Sequence, residues 1–167
     1  IIEHTREDLT LEKKALLNQS TTQPEKGTLA DALVGAHVFI GLSVPGTVTR
    51  EIVQSMAEKP ILFTLANPTP EIMPEDAKAS GAYIIATGRS DYPNQINNSI
   101  VFPGLFKAML YLRHKQFEDN LFVQVAHIVA QSVLSPSVDS IIPSMFDRQV
   151  TEKIYQGVLD YFTENNG

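Results

Sequence analysis

The chain contains no cysteine, which excludes disulfides and thiolate chemistry and permits a reducing compartment. It has no run of 18 apolar residues, and so no candidate membrane-spanning helix. Nothing at its start joins positive charge to an apolar core as a secretory signal does. No block of lysine and arginine forms a stripe, and the formal net charge is −6. That argues against nucleic acid or an anionic membrane as a partner. A cytoplasmic protein is the expectation. The chain also has no initiating methionine. It opens "IIEHTREDL", on two apolar residues as if entered in mid-strand, which suggests a piece of a longer protein; a processed terminus is the alternative.

What is present reads as globular. Apolar residues make up 43% and charged residues 19%, enough to bury a core in a chain of 167 residues. Three short apolar runs recur: "HVFIGL" at 37–42, "ILFTLA" at 61–66 and "AYIIA" at 82–86. Helical segments separate them, "TREIVQSMA" at 49–57 and "MPEDAKAS" at 73–80, with Pro74 suited to a first helical turn. Continuous apolar runs alternating with helices predict an α/β fold whose parallel sheet is covered on both faces. Upstream, "LEKKALLN" (11–18) and "TLADALVGA" are helical, with Thr28 as N-cap and Gly35 as stop. Downstream, 99–112, 117–134 and 147–165 are predicted helices around a loop at 135–144. In the last helix Val150, Ile154, Val158 and Phe162 form one stripe, and Asp147 is the N-cap.

Ligands of open parallel sheets bind outside the carboxyl ends of the strands. "SVPGT", "NPTPE" and "TGRSDYPNQINN" follow the three strands and so share one edge. Ser43–Gly46 supply a backbone that a ligand can approach closely, or simply a tight turn. Asn67 precedes a proline, which disfavours helical backbone there; its amide either meets a ligand or closes an Asx turn. Asn97 and Asn98 stand before the helix at 99–112. One can cap it, which leaves the other to face a ligand. Arg89 and Asp91 either pair with each other or serve the chemistry, and Tyr92 is the stray candidate for proton transfer. His4, His37, His114 and His127 are not clustered with carboxylates at metal-ligand spacing. Ser43 has no evident His or Asp partner. The edge reads as half a site, with amides to orient a ligand and no group to move its protons.

Four motifs, "GAHVFIGLSVPG", "ANPTPEIMPEDA", "ATGRSDYPNQINNSIVFPGLFKA" and "IIPSMFD", resemble the C-terminal part of malic enzymes of the short microbial type. The opening "IIEHTREDL" is similar to the segment after the second strand of that family's nucleotide-binding domain. His37 stands where the family has Asp, and the last helix is poorer in alanine. The resemblance implies the back portion of a Rossmann-like NAD(P)-binding domain at 1–116, and a helical extension at 117–167. It implies oxidative decarboxylation of L-malate to pyruvate and CO2, with NAD or NADP and with Mg2+ or Mn2+, in a homodimer. Asn67 would lie against the substrate and the nicotinamide ribose. Asn98, with Asn97 beside it, would hold a malate carboxylate or hydroxyl and border the cofactor. The backbone of Ser43, Val44, Pro45 and Gly46 would line the dinucleotide. The family's catalytic Tyr and Lys and its metal ligands precede the matched region, so no catalytic residue and no metal ligand is expected here, and the chain alone should be inert. A malolactic relative or a non-catalytic α/β binding module are the alternatives.

Overall fold

The computed structural model describes residues 7, 9–19 and 27–165. Helix α1 spans Leu11–Gln19 and α2 spans Leu29–Leu33. Strands β1 (Val38–Gly41), β2 (Ile61–Thr64) and β3 (Ile84–Thr87) alternate with α3 (Arg50–Ser55) and α4 (Pro74–Ala79). A 3-10 turn at Asn98–Ile100 leads into α5 (Phe102–Leu112), followed by α6 (Asp119–Gln131) and α7 (Arg148–Asn165). The opening segment "IIEHTR" and Asp8 lie outside the described residues.

The strands are parallel in the order β1-β2-β3. Local chemistry starts the helices as expected. Thr28 and Asp31 close a capping box on α2, Thr49 accepts from Ile52 N–H at α3, and Pro74 opens α4. Gly35, past the end of α2, takes the left-handed conformation with φ 71°.

One face of the sheet carries a core of Leu33, Phe39, Val53, Leu62, Ile72 and Ala77, drawn from α2, α3, α4, the strands and the loop before α4. The other face does not match the two-sided burial expected. Val38 is 46% and Ile40 63% exposed there, whereas Ala86 on β3 is fully buried. Side chains alternate along a strand, so Val38 and Ile40 share the face opposite to Phe39. Among the described residues no element covers them.

A second core lies among the helices after the sheet. Leu105 and Met109 of α5, Leu121 and Val125 of α6, and the stripe Val150, Ile154, Val158 and Phe162 of α7 are all buried together. Burial of each such side chain contributes about 1.5–3 kcal/mol. The helix expected at 99–112 is broken at Val101. Pro103 has no N–H for the carbonyl of residue 99 and its ring would clash with it, so the regular helix begins at Phe102. Asp147 caps α7 as read, accepting from Gln149 N–H at 2.8 Å.

Within this core α5 and α7 approach closely at Gly104. A Cβ there would sit 2.5 Å from the Thr151 carbonyl oxygen and 2.8 Å from Ile154 Cβ. In an open helix Gly→Ala stabilises by about 1 kcal/mol. Here Gly104→Ala is expected to destabilise by about 1–2 kcal/mol net, because α5 must move off α7. Thermal unfolding checks this, and a raised midpoint would contradict it.

Candidate functional site

The register aligns Gly41, Thr64 and Thr87 in one row, so the three strands end level and their following loops leave from one edge. The strand order is sequential, and the switch point that often marks such sites is not formed among these three strands.

The first loop turns on Val44-Pro45-Gly46-Thr47. Thr47 Oγ1 donates to the Val44 carbonyl at 3.1 Å, and Gly46 has φ 73°. A Cβ on Gly46 would meet nothing within 4 Å, so the outer side of this turn is open. Ser43, Val44, Pro45 and Gly46 are all exposed.

The second loop begins with Asn67, exposed and joined to Pro68 by a cis peptide bond. Its side chain makes no hydrogen bond with the described residues. The Asx turn weighed above is therefore not formed.

In the third loop the asparagines divide their roles. Asn94 is buried at 6% exposure with φ 55°. Its Nδ2 donates to the carbonyls of Ile85 and Val138, at 3.0 and 2.8 Å, and its Oδ1 accepts from Ile141 N–H at 2.9 Å. It fastens β3 to the loop that carries "IIPSMFD". Asn97 Oδ1 accepts from Ser99 N–H at 3.0 Å, capping the 3-10 turn rather than α5 itself. Asn98 is exposed, and its side-chain amide has no partner among the described residues.

The charged residues of this loop are committed to each other. Arg89 donates to both carboxylate oxygens of Asp91, at 2.9 and 2.6 Å. That hydrogen bonding holds the Asp91 carboxyl below its usual range. Tyr92 Oη donates to Glu75 at 2.7 Å, which together with burial pushes the phenol above its usual value. Arg89 stacks over the Tyr92 ring at 5.4 Å. Tyr92 thus fastens the loop to α4.

Glu71, which sequence reasoning passed over, is fully buried at this edge. Its carboxylate accepts from Ser43 N–H at 2.8 Å and from Ala66 N–H at 3.1 Å, bridging the first two loops. The signal that could have found it is a lone acid closing an otherwise uncharged loop, opposite a glycine at a strand end.

Two clefts adjoin the third loop, and neither is lined by Ser43–Gly46, Asn67, Asn97 or Asn98. One of about 210 Å³ lies beside β3, with Thr87, Tyr92, Lys78 and Asp139 in its wall. The other, about 360 Å³, lies between Ser90, Gln95 and the segment Ser140–Phe146. Ser43–Gly46, Asn67, Asn97 and Asn98 instead occupy an open surface.

The family model "Malic enzyme, NAD binding domain" matches residues 1–162. This chain belongs to the malic enzyme family. It is 45% identical over 141 residues to the bifunctional malic/malolactic enzyme of Bacillus subtilis (strain 168), covering 83% of this chain and 34% of that protein. Malic enzyme structures share its fold. That of Entamoeba histolytica aligns over 99% of this chain and 36% of its own, with 38% identity and a TM-score of 0.91. The NAD-dependent malic enzyme of Thermotoga maritima aligns over 95% and 42%, with 38% identity and a TM-score of 0.86. The chain thus spans about a third to two-fifths of these malic enzymes, within the part that binds the nucleotide.

Proposed function

We propose that the complete protein oxidises L-malate and decarboxylates it to pyruvate and CO2, with NAD or NADP as acceptor, and that this chain supplies the orienting wall. The observation that carries the reading is the pair of uncommitted amides. Asn67 and Asn98 stand exposed on the strand-end edge, where Arg89, Tyr92, Asn94 and Asn97 are all engaged.

A primary amide both donates and accepts without titrating. It can hold a carboxylate, a hydroxyl and a ribose through a reaction in which the substrate's charge changes. Asn98, with Asn97 beside it, takes a carboxylate or the hydroxyl of malate. Asn67 takes the reacting end of the substrate and the nicotinamide ribose. The exposed Ser43–Gly46 turn, with no side chain on Gly46, suits a dinucleotide laid along its backbone. When bound, the dinucleotide supplies the hydride acceptor.

The resemblance also implies Mg2+ or Mn2+. Among the described residues no three His, Cys, Asp or Glu side chains are grouped to hold a metal. The donor set does not fit, and no step through a metal is assigned to this chain. Its ligands and the proton-transferring Tyr and Lys are proposed to lie elsewhere in a complete, homodimeric protein. The 167-residue chain by itself is therefore expected to show no malate-dependent turnover.

A second reading draws on the B. subtilis relative, whose name includes malolactic activity. The same wall would serve a reaction that ends in lactate. An assay of the complete protein with malate, Mn2+ and either nucleotide separates the two. Reduced nucleotide with pyruvate is the expected result. Lactate without net reduction would favour malolactic chemistry, and silence with both nucleotides would leave a binding module.

A further inference from the structure

We infer that Glu71 is a positioning residue that sets the nucleotide-facing backbone of two loops at once; the role rests on the malic enzyme reading above. Its carboxylate is fully buried, and no ion pair engages it among the described residues. A buried carboxylate without a cation is costly unless its oxygens are hydrogen-bonded, so packing alone does not explain this residue. An apolar side chain would fill the space but leave the two N–H groups without their acceptors.

The two oxygens do a specific task. The β1–β2 ladder continues as far as Leu65 N–H on the Gly41 carbonyl, at 3.0 Å. Beyond it the chains part into separate loops. Glu71 spans that gap, one oxygen on Ser43 N–H and the other on Ala66 N–H. Its own carbonyl accepts from Val48 N–H at 3.2 Å, holding the far end of the first loop. Ser43 opens the turn proposed to line the dinucleotide, and Ala66 immediately precedes Asn67. Gly41 keeps the space clear, since a Cβ there would lie 2.5 Å from Glu71 Cδ. Glu71 does not face the ligand surface, and its effect passes through the backbone of its two partners.

Glu71→Gln tests this in the complete protein. An amide offers one acceptor oxygen, so its –NH2 must face one of the two N–H donors. The expected signature is loss of hydrogen-exchange protection at one or both of Ser43 and Ala66, with Leu65 still protected. Affinity for NAD or NADP, measured by direct binding, should fall about tenfold or more, since small misplacements of positioning groups have effects of this order. Gly41→Ala presses on the same carboxyl group while leaving both its oxygens in place, should give the same pattern, and carries the test if Glu71→Gln fails to fold. Retained protection at both amides would overturn the bridge. Lost protection with affinity within about twofold of the parent would overturn the positioning role and leave a purely structural one. If the unmodified protein binds neither nucleotide, the functional reading itself fails, and the exchange data still report whether the bridge exists.

Discussion

Asn98→Ala in the complete protein is expected to lower kcat/KM for malate by about 30- to 1,000-fold. The figure corresponds to roughly 2–4 kcal/mol, the loss on removing one well-placed donor from a developing charge. The structure makes this a clean substitution. Asn98 is exposed and its side chain has no partner among the described residues, so truncation should leave the fold intact. Its backbone carbonyl accepts from Val101 N–H at 3.0 Å, a contact that alanine keeps. Asn97→Ala differs, because it also removes the cap on Ser99. Steady-state kinetics at saturating nucleotide decide the matter. A change within about twofold, or ~0.4 kcal/mol, would remove Asn98 from the site.

Asn94→Ala is expected to cost about 3 kcal/mol of stability. Three hydrogen bonds at one buried side chain disappear, each worth about 0.5–1.5 kcal/mol net. Alanine also fits the left-handed backbone at φ 55° less well than asparagine does. For a domain of this size the unfolding midpoint should fall by roughly 6–12 °C. Asn94→Gly isolates the backbone component: it loses the same bonds but recovers about 1 kcal/mol of conformational cost. A midpoint for Asn94→Ala within a degree of the parent would show that the staple between β3 and the 135–144 loop is not needed. Hydrogen exchange at Ile141 N–H would report the same loss locally.

These two asparagines show how far the sequence can be read. Asn94, Asn97 and Asn98 are chemically alike and sit within five residues of one another. Sequence reasoning could see that one would cap and another would be free. It could not see that a third would be buried, because that depends on Val138 and Ile141, more than forty residues away. The strands were legible because an apolar run of four to six residues is a local signal. The one-sided cover of the sheet was not. The runs at Val38 and Ile40 record a burial that the described residues do not provide.

Glu71 was invisible for a related reason. Its loop reads as proline punctuation, and a lone glutamate there is most simply a solvated one. Its burial depends on Gly41 leaving room and on two strand-end amides lacking acceptors. Those are properties of register, not of composition. The break at Val101 lies between the extremes. Pro103 announced it, but the apolar content on both sides of the break argued for one continuous helix.

The central claim is that Asn67 and Asn98 form the ligand-facing wall of a malate and dinucleotide site. A crystal structure of the complete protein with NAD or NADP and a non-reacting malate analogue tests it most directly. The account predicts both side-chain amides within hydrogen-bonding distance, about 2.7–3.2 Å, of the analogue or the nicotinamide ribose, with the dinucleotide along Ser43–Gly46. A ligand bound elsewhere, with both amides left in solvent, would contradict it.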